Sequence, residues 1–335
     1  MQAETAARTG ASLDELRRAL RPRNRLAEYF DLTGGAGLFP QFCAVVARLR
    51  PGMDCWIPAR NLNAFTRFAE RLGLAAAADC AFRELPADMR ERVVGAETLC
   101  TTHAIGVRIE DAREGDSVHM FVGVDKRATE RLLACGWYPV VIEGRATHKP
   151  VVDHLDFGRA LGYPECCVRF FETSNNWNKT NSYAEAYLNT QAAFDHRTNC
   201  FGKNLGYSLN FHLPCRFDCA ETIAFSNRLM EFLDRNEPAY AEICRQLLRK
   251  PVLSLNEREI SCLDGLPTGK QRVAYSGALN LFSMPDQVMN AINTGDVIEI
   301  RGRFVVVSRG AEPVDVFECR CDEYGPHIPL LIDWG

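Results

Sequence analysis

The sequence lacks any long apolar stretch and any excess of basic charge. No apolar run approaches the length that spans a bilayer. The N-terminus has no basic start followed by an apolar block, which is the pattern of a secretory signal. The formal net charge is −4 and the pI is near 6.0, so nothing attracts nucleic acid to the chain as a whole. We expect a cytoplasmic protein that has neither a membrane nor a nucleic acid as its partner.

Common site motifs are missing as well. The glycine-rich stretch 33–37 has neither the lysine nor the spacing of a phosphate-binding loop. The chain has no paired C-x2-C and H-x3-H elements of a standard zinc finger. It also has no internal repeat and no low-complexity tract. The function must therefore be sought in residues that follow none of these patterns.

The chain has the composition of a globular protein, with 335 residues of which 47% are hydrophobic and 24% charged. Apolar residues at helical spacing predict helices over 12–32 and 59–79. A strand, a helix and a second strand are predicted in turn over 118–142. Residues 237–262 are expected to be mostly helical. The first two thirds of the chain should therefore mix helices with a smaller number of strands.

The C-terminal part has a different character. Alternating apolar residues predict a β-hairpin over 296–308 and a third short strand over 314–321. We therefore predict an α+β fold with a helical N-terminal region, a mixed α/β centre and a small β-rich C-terminal unit. The corresponding domains are 1–100, 101–265 and 266–335.

Fourteen cysteines are present, and two segments that contain them share a local design. In 161–171 and in 212–222, a proline comes just before cysteines and an amphipathic pattern follows. Proline is favoured at helix starts, so these cysteines should occupy the first turn of a helix. The unpaired N–H groups and the helix dipole stabilise a thiolate there. Both segments are thus suited to metal binding or to nucleophilic chemistry.

The spacing favours one shared site. Cys215 and Cys219 are four residues apart, which places both on one face of a helix that begins near Pro214. If that helix start lies beside the one at Pro164, their thiolates can converge on one centre. The predicted metal ligands are Cys166, Cys167, Cys215 and Cys219.

The cofactor predicted from these ligands is either an iron–sulfur cluster or zinc. An iron–sulfur cluster takes four thiolates, whereas a catalytic zinc takes three protein ligands and keeps one position open. In the second case His212 can act as a proton carrier. The candidate catalytic residues are His212, Cys167 and Asp218.

A polar stretch between the two segments is the predicted substrate site. Such stretches carry binding groups more often than buried elements do. Amide and indole groups suit a small polar molecule, although a solvated surface connection is the simpler alternative. The candidate substrate-binding residues are Asn176, Trp177, Asn178, Lys179 and Asn210.

Three functions remain open at this point. The first is a metal-dependent enzyme that acts on a small polar molecule, in a setting such as specialised biosynthesis. The second is a zinc-stabilised binding module without catalysis, and the third is a metal-free thiol or sulfur-transfer enzyme. The cysteines can also be simple core residues. Cys319 and Cys321 lie on one face of a predicted strand, where they are either metal ligands or residues of the hydrophobic core. The sequence predicts no oligomeric state.

The two cysteine segments also resemble a known pattern. Tyr163-Pro-Glu-Cys-Cys167 and His212-Leu-Pro-Cys-Arg-Phe-Asp-Cys219 are similar to the paired signature of an uncharacterised prokaryotic domain family. The resemblance covers residues 150–235, about a quarter of the chain. It implies that the cysteines of both segments and His212 belong to one site. It implies no reaction.

Overall fold

A computed structural model describes most of the chain. The described residues are 12–20, 22, 25–35, 37–84, 104–135, 141–142, 145–146, 153–174, 181–256, 259–269, 271–282, 284–319 and 328–335. They form eleven α-helices and two main antiparallel sheets. The predicted α+β class is confirmed.

The N-terminal region contains four helices. They are α1 (Leu13–Ala19), α2 (Glu28–Thr33), α3 (Phe39–Val46) and α4 (Leu62–Arg71). Ser12 and Glu15 cap the start of α1 by bonding to each other's backbone N–H. The single helix predicted over 12–32 is wrong, because the chain breaks near Pro22, whose ring cannot continue a helix. The helix predicted over 59–79 ends at Arg71, and Gly73 turns the chain with a φ of +69°.

A four-stranded sheet follows these helices. Its strands are β1 (Gly52–Pro58), β2 (Ala75–Glu84), β3 (Ala104–Val107) and β4 (Ser117–Gly123). They pair antiparallel in the order β1-β4-β2-β3. The predicted strand at 118–124 and the helix after it are confirmed as β4 and α5 (Lys126–Cys135). Beyond α5, the described part of the second predicted strand is β5 (Val141–Ile142), which pairs with β6 (Arg145–Ala146).

Five helices surround the cysteine segments. They are α6 (His154–Ala160), α7 (Glu165–Ser174), α8 (Ser182–Asn189), α9 (Ala220–Asn236) and α10 (Pro238–Leu248). Helices α9 and α10 pack against each other, and α6 packs against α7. The helix predicted over 237–262 ends at Leu248, and the chain then enters the second sheet. None of the described helices is long and apolar enough to cross a membrane.

The second sheet has seven strands. They are β7 (Val252–Ser254), β8 (Ile260–Gly269), β9 (Arg272–Asn280), β10 (Val297–Arg301), β11 (Phe304–Arg309), β12 (Glu312–Glu318) and β13 (Leu330–Ile332), with α11 (Asp286–Thr294) after β9. The order is β12-β11-β10-β9-β8-β7-β13, and all pairs are antiparallel. The predicted hairpin is confirmed as β10 and β11, and β12 confirms the third strand. This sheet starts at Val252, ahead of the predicted boundary at 266. The division into three domains stays a prediction.

One large apolar core joins both ends of the described chain. It includes Leu13 near the start and Trp334 near the end. Strand β13 pairs with β7, which brings the C-terminal residues under the cysteine segments. The Trp334 ring lies 5.3 Å from the ring of Phe217, which sits between Cys215 and Cys219. The main core therefore supports the second cysteine segment directly.

Candidate metal centre

The first pair of cysteines lies at the start of α7. The N–H groups of Cys167 and Val168 both donate to the carbonyl of Pro164, at 2.9 Å each. Cys166 and Cys167 therefore occupy the first helical turn, as predicted. Cys166 is exposed, whereas Cys167 is buried.

The second segment is not the predicted helix. Residues 211–219 form turns, and α9 starts only at Ala220, with Cys219 as its N-cap. The cause is tertiary hydrogen bonding. The Asp218 carboxylate accepts the N–H groups of Gln191 and Ala192 at 3.3 and 3.1 Å, and the N–H of Phe217 donates to Thr190 Oγ1 at 2.8 Å. The Phe217 N–H is therefore not available for a helical i→i−4 bond, and the Asp218 carboxylate holds the segment against residues 191–192.

The four sulfurs nevertheless come together, as the paired motifs predicted. Cys219 Sγ lies 3.7 Å from both Cys166 Sγ and Cys167 Sγ, and the last two sulfurs are 3.8 Å apart. With Cys215 Sγ included, all four lie within 4.8 Å of one another. We call these four residues the cysteine cluster. A tetrahedral metal with bonds of about 2.3 Å separates its sulfurs by roughly 3.8 Å, so the cluster is compatible with metal binding.

The protonation of the thiols is uneven. Hydrogen bonds from Cys167 and Cys215 lower the pKa of Cys219, so this residue is the first to become a thiolate. Hydrogen bonding to Cys215 and Cys219 raises the pKa of Cys167, and burial raises the pKa of Cys166. A second thiolate beside the first is unfavourable unless a cation offsets the charge. Four thiolates at this spacing therefore require a bound metal ion.

A chain of hydrogen bonds leads away from the buried side of the cluster. Thr222 Oγ1 lies 3.5 Å from Cys167 Sγ, and His212 Nε2 lies 2.9 Å from Thr222 Oγ1. His212 Nδ1 lies 3.3 Å from Nη2 of Arg50. A guanidinium can only donate, so Nδ1 accepts, Nε2–H donates to Thr222, and the hydroxyl donates to sulfur. Burial, and then the Arg50 charge, lower the pKa of His212 to about 3, which keeps the imidazole neutral as this arrangement requires.

Arg50 is the last residue of this series of hydrogen bonds, counted from the cluster. Its side chain lies deep in the protein. It is 3% exposed, and its guanidinium lies 4.3 Å from the ring centre of Phe225 and 4.8 Å from that of Tyr163. Nη1 donates to Gln41 Oε1. Burial lowers the pKa of Arg50 to about 10, so the group stays charged at neutral pH. Among the described residues no carboxylate lies within 4.0 Å of it.

Neither Arg50 nor Thr222 was predicted from the sequence as a site residue. One weak sequence signal for Thr222 exists, since it follows Cys219 by three residues at the start of the same helix. Arg50 had none, because it lies 162 residues before His212 in the sequence. His212 was predicted and reaches the cluster through Thr222. Its catalytic role, and that of Cys167, stay predictions.

The other predicted site residues are more scattered. Asp218 holds the turn around the second segment and forms an ion pair with Arg216 at 3.3 Å. Asn210 is buried, and its side chain donates to the Arg197 carbonyl at 2.9 Å. Cys319 packs partly buried against the core of the second sheet. Four predicted substrate-binding residues and one cysteine lie outside the described residues: Asn176, Trp177, Asn178, Lys179 and Cys321.

Comparisons of this chain with protein-family models, with curated proteins and with solved structures gave no match. The resemblance of the cysteine segments to a prokaryotic domain family therefore stays a prediction.

Proposed function

We propose that the protein binds one zinc ion through the thiolates of the cysteine cluster. The spacing of the four sulfurs carries this proposal. Three of the sulfur–sulfur distances are 3.7 to 3.8 Å, which is the edge length of a tetrahedron around one metal with bonds of about 2.3 Å. One ion at the centre satisfies all four donors at once.

An iron–sulfur cluster fits this spacing less well. In such clusters the four thiolates are distributed over two or four irons, which bridging sulfides hold apart. Four sulfurs that all lie within 4.8 Å of one another surround a space for one ion instead. A single ferrous ion has the same ligand preference, but divalent zinc binds a given site more tightly than ferrous iron does. These two arguments together favour zinc.

The buried charge of Arg50 supports a fully thiolate-bound ion. A divalent ion with four thiolates has a net charge of −2, and a cation near its buried side offsets the cost of removing that side from water. Arg50 is buried and protonated, and the chain through His212 and Thr222 connects it to Cys167. The polar surroundings are therefore those of an anionic centre.

The main role of this zinc is to fix the fold around the cluster. Four protein ligands fill the coordination sphere, which is typical of structural zinc, whereas catalytic zinc keeps a position open. The ion ties the start of α7 to the turn before α9, two segments about 50 residues apart in sequence. The turn before α9 contains few of the backbone hydrogen bonds that stabilise helices and strands. The metal therefore supplies stability to this segment that secondary structure does not.

The experiment is a metal analysis of protein purified without oxygen, together with its visible spectrum. We expect one zinc per chain and no colour. A brown protein that contains iron and sulfide would instead support an iron–sulfur enzyme, and a metal-free protein would support the thiol enzyme. Either result would contradict the proposal.

A cysteine variant with a matched control makes the test specific. In Cys215→Ala, the loss of one ligand should remove zinc and lower the melting temperature, because metal binding contributes to folding free energy. Cys135→Ala changes a partly buried cysteine outside the cluster and should keep both properties. A Cys215→Ala protein with a full zinc complement would contradict the proposal.

A further inference from the structure

The cysteine cluster is open to solvent on one side. Cys166 is exposed, whereas Cys167 and Cys219 are buried and Cys215 is intermediate. The exposed position follows from α7, whose first turn presents Cys166 outward and Cys167 inward. Cys166 is therefore the most accessible residue of the cluster to a reagent in solution.

Hydrogen-bond donors are concentrated on the opposite side. Cys167 Sγ accepts the hydroxyl of Thr222 and the N–H of Cys215, at 3.5 and 3.4 Å. Among the described residues, Cys166 Sγ has hydrogen-bond contacts only with the sulfurs of other cluster cysteines. Those thiols lose their protons when a metal binds, so their bonds to Cys166 disappear. Of two metal-bound thiolates, the one that accepts fewer hydrogen bonds keeps more electron density on its sulfur and is the better nucleophile.

The charge distribution has the same asymmetry. The buried cation Arg50 is connected through His212 and Thr222 to Cys167. This chain stabilises the negative charge on the buried side of the cluster. The charge on Cys166, in the first turn of α7, is offset by the metal, by the helix N-terminus and by solvent.

We propose that Cys166 is the reactive thiolate of this centre and that its substrates are soft carbon electrophiles, alkyl groups attached to a good leaving group. The proposal rests on the zinc site proposed above. A lone pair of Cys166 Sγ forms the new sulfur–carbon bond while the bond from carbon to the leaving group breaks. The leaving group departs with that bonding pair. No proton moves, because a metal-bound thiol is already deprotonated.

The experiment uses zinc-loaded full-length protein and limiting iodoacetamide, with peptide mapping of every cysteine over time. We expect Cys166 to be alkylated at least about tenfold faster than the other three cluster residues, as the exposed thiolate. Cys135 serves as an internal reference, because it is a cysteine outside the cluster whose pKa is raised by burial. Its rate should increase with pH as its thiol ionises, whereas the rate at Cys166 should stay nearly constant between about pH 6 and 8.

Variants and metal analysis separate the two proposals. Cys166→Ser should abolish the fast alkylation, and Cys135→Ser should leave it unchanged. If the protein holds one zinc but Cys166 reacts no faster than Cys215, the reactivity proposal is overturned and the zinc site stands. If no zinc is present and Cys166 follows the pH dependence of Cys135, both proposals are overturned. Mapping of the unmodified sequence alone decides between these results if Cys166→Ser does not fold.

Discussion

At the scale of single residues, side chains other than the four cysteines form the buried surroundings of the cluster. Thr222 has the central position among them, because its hydroxyl joins Cys167 to His212. His212 in turn connects this pair to the buried charge of Arg50. Groups of this kind orient metal ligands and set their charge, and they typically affect metal affinity strongly.

The first prediction concerns the hydroxyl of Thr222. Thr222→Val keeps the shape of the side chain and removes its donor to sulfur, so we expect zinc affinity to fall about 10- to 100-fold. Thr129→Val is the matched control, since Thr129 is also buried but its hydroxyl donates to the backbone carbonyls of Ala75 and Asp125. Competition with a chromophoric chelator measures both affinities. An equal change in the two variants would show that Thr222 acts only through general packing.

The second prediction concerns His119 in the first sheet. His119 is fully buried, and its two ring nitrogens face Asp54 and Asp79 at 3.3 and 3.4 Å. Burial lowers the pKa of this imidazole, but the hydrogen bonds and charges of both carboxylates raise it more, so the net pKa is raised. Its contribution to stability is therefore complete below the unfolded-state pKa of about 6.5 and is lost as pH rises through the folded-state pKa.

The measurement is the free energy of unfolding as a function of pH for the natural protein and for His119→Gln. We expect the natural protein to be the more stable below about pH 6.5 and the difference to shrink as pH rises. A difference that is constant with pH, or that grows toward alkaline pH, would show that His119 is not a buried imidazolium.

At the scale of elements, the turn between α6 and α7 places the first cysteine pair. Gly162 lies in this turn with a φ of +74°, and a Cβ there would overlap the Pro51 ring. It would also lie 3.6 Å from the Cα of Arg50. The absence of a side chain at this position thus lets the start of α7 approach the segment that carries Arg50.

The third prediction compares two glycines that share a backbone conformation. Gly302→Ala, at φ +63° in open space, should cost only the backbone strain of about 1–2 kcal/mol. Gly162→Ala should cost about 1–3 kcal/mol more, because Pro51 must move, and should also weaken zinc binding. Denaturant unfolding and zinc titration measure these effects. If both variants lose the same stability and keep their zinc affinity, the close approach is not needed.

The elements also show what local sequence patterns can and cannot predict. Helix α7 was predicted correctly, because a proline start and an amphipathic pattern are local signals. The same reasoning failed at residues 211–219, where Asp218 and Phe217 bond to residues 190–192 instead of continuing a helix. Those partners lie more than 20 residues away, so no local pattern indicates them. The closeness of the four cysteines was still predicted correctly. The paired motifs imply one shared site whether or not each segment forms a helix.

At the scale of the whole molecule, parts that are distant in sequence build the site together. Arg50 comes from the N-terminal region, the cysteines come from the middle, and Trp334 near the end of the described chain supports Phe217 between Cys215 and Cys219. The class of fold was predictable from the order of helical and alternating patterns. The sequence did not predict strands β7 and β13, which bring Trp334 under the site. Each strand has only three residues, and a short apolar run does not distinguish a strand from a helix.

The measurement that tests the central claim most directly is X-ray absorption at the zinc edge of the protein as purified. A zinc ion held by the four cysteines should show four sulfur neighbours at about 2.3 Å and no nitrogen or oxygen neighbours. One zinc per chain with this coordination would confirm the account. A zinc shell that contains nitrogen or oxygen ligands, or a protein whose metal is iron with a second iron as neighbour, would contradict it.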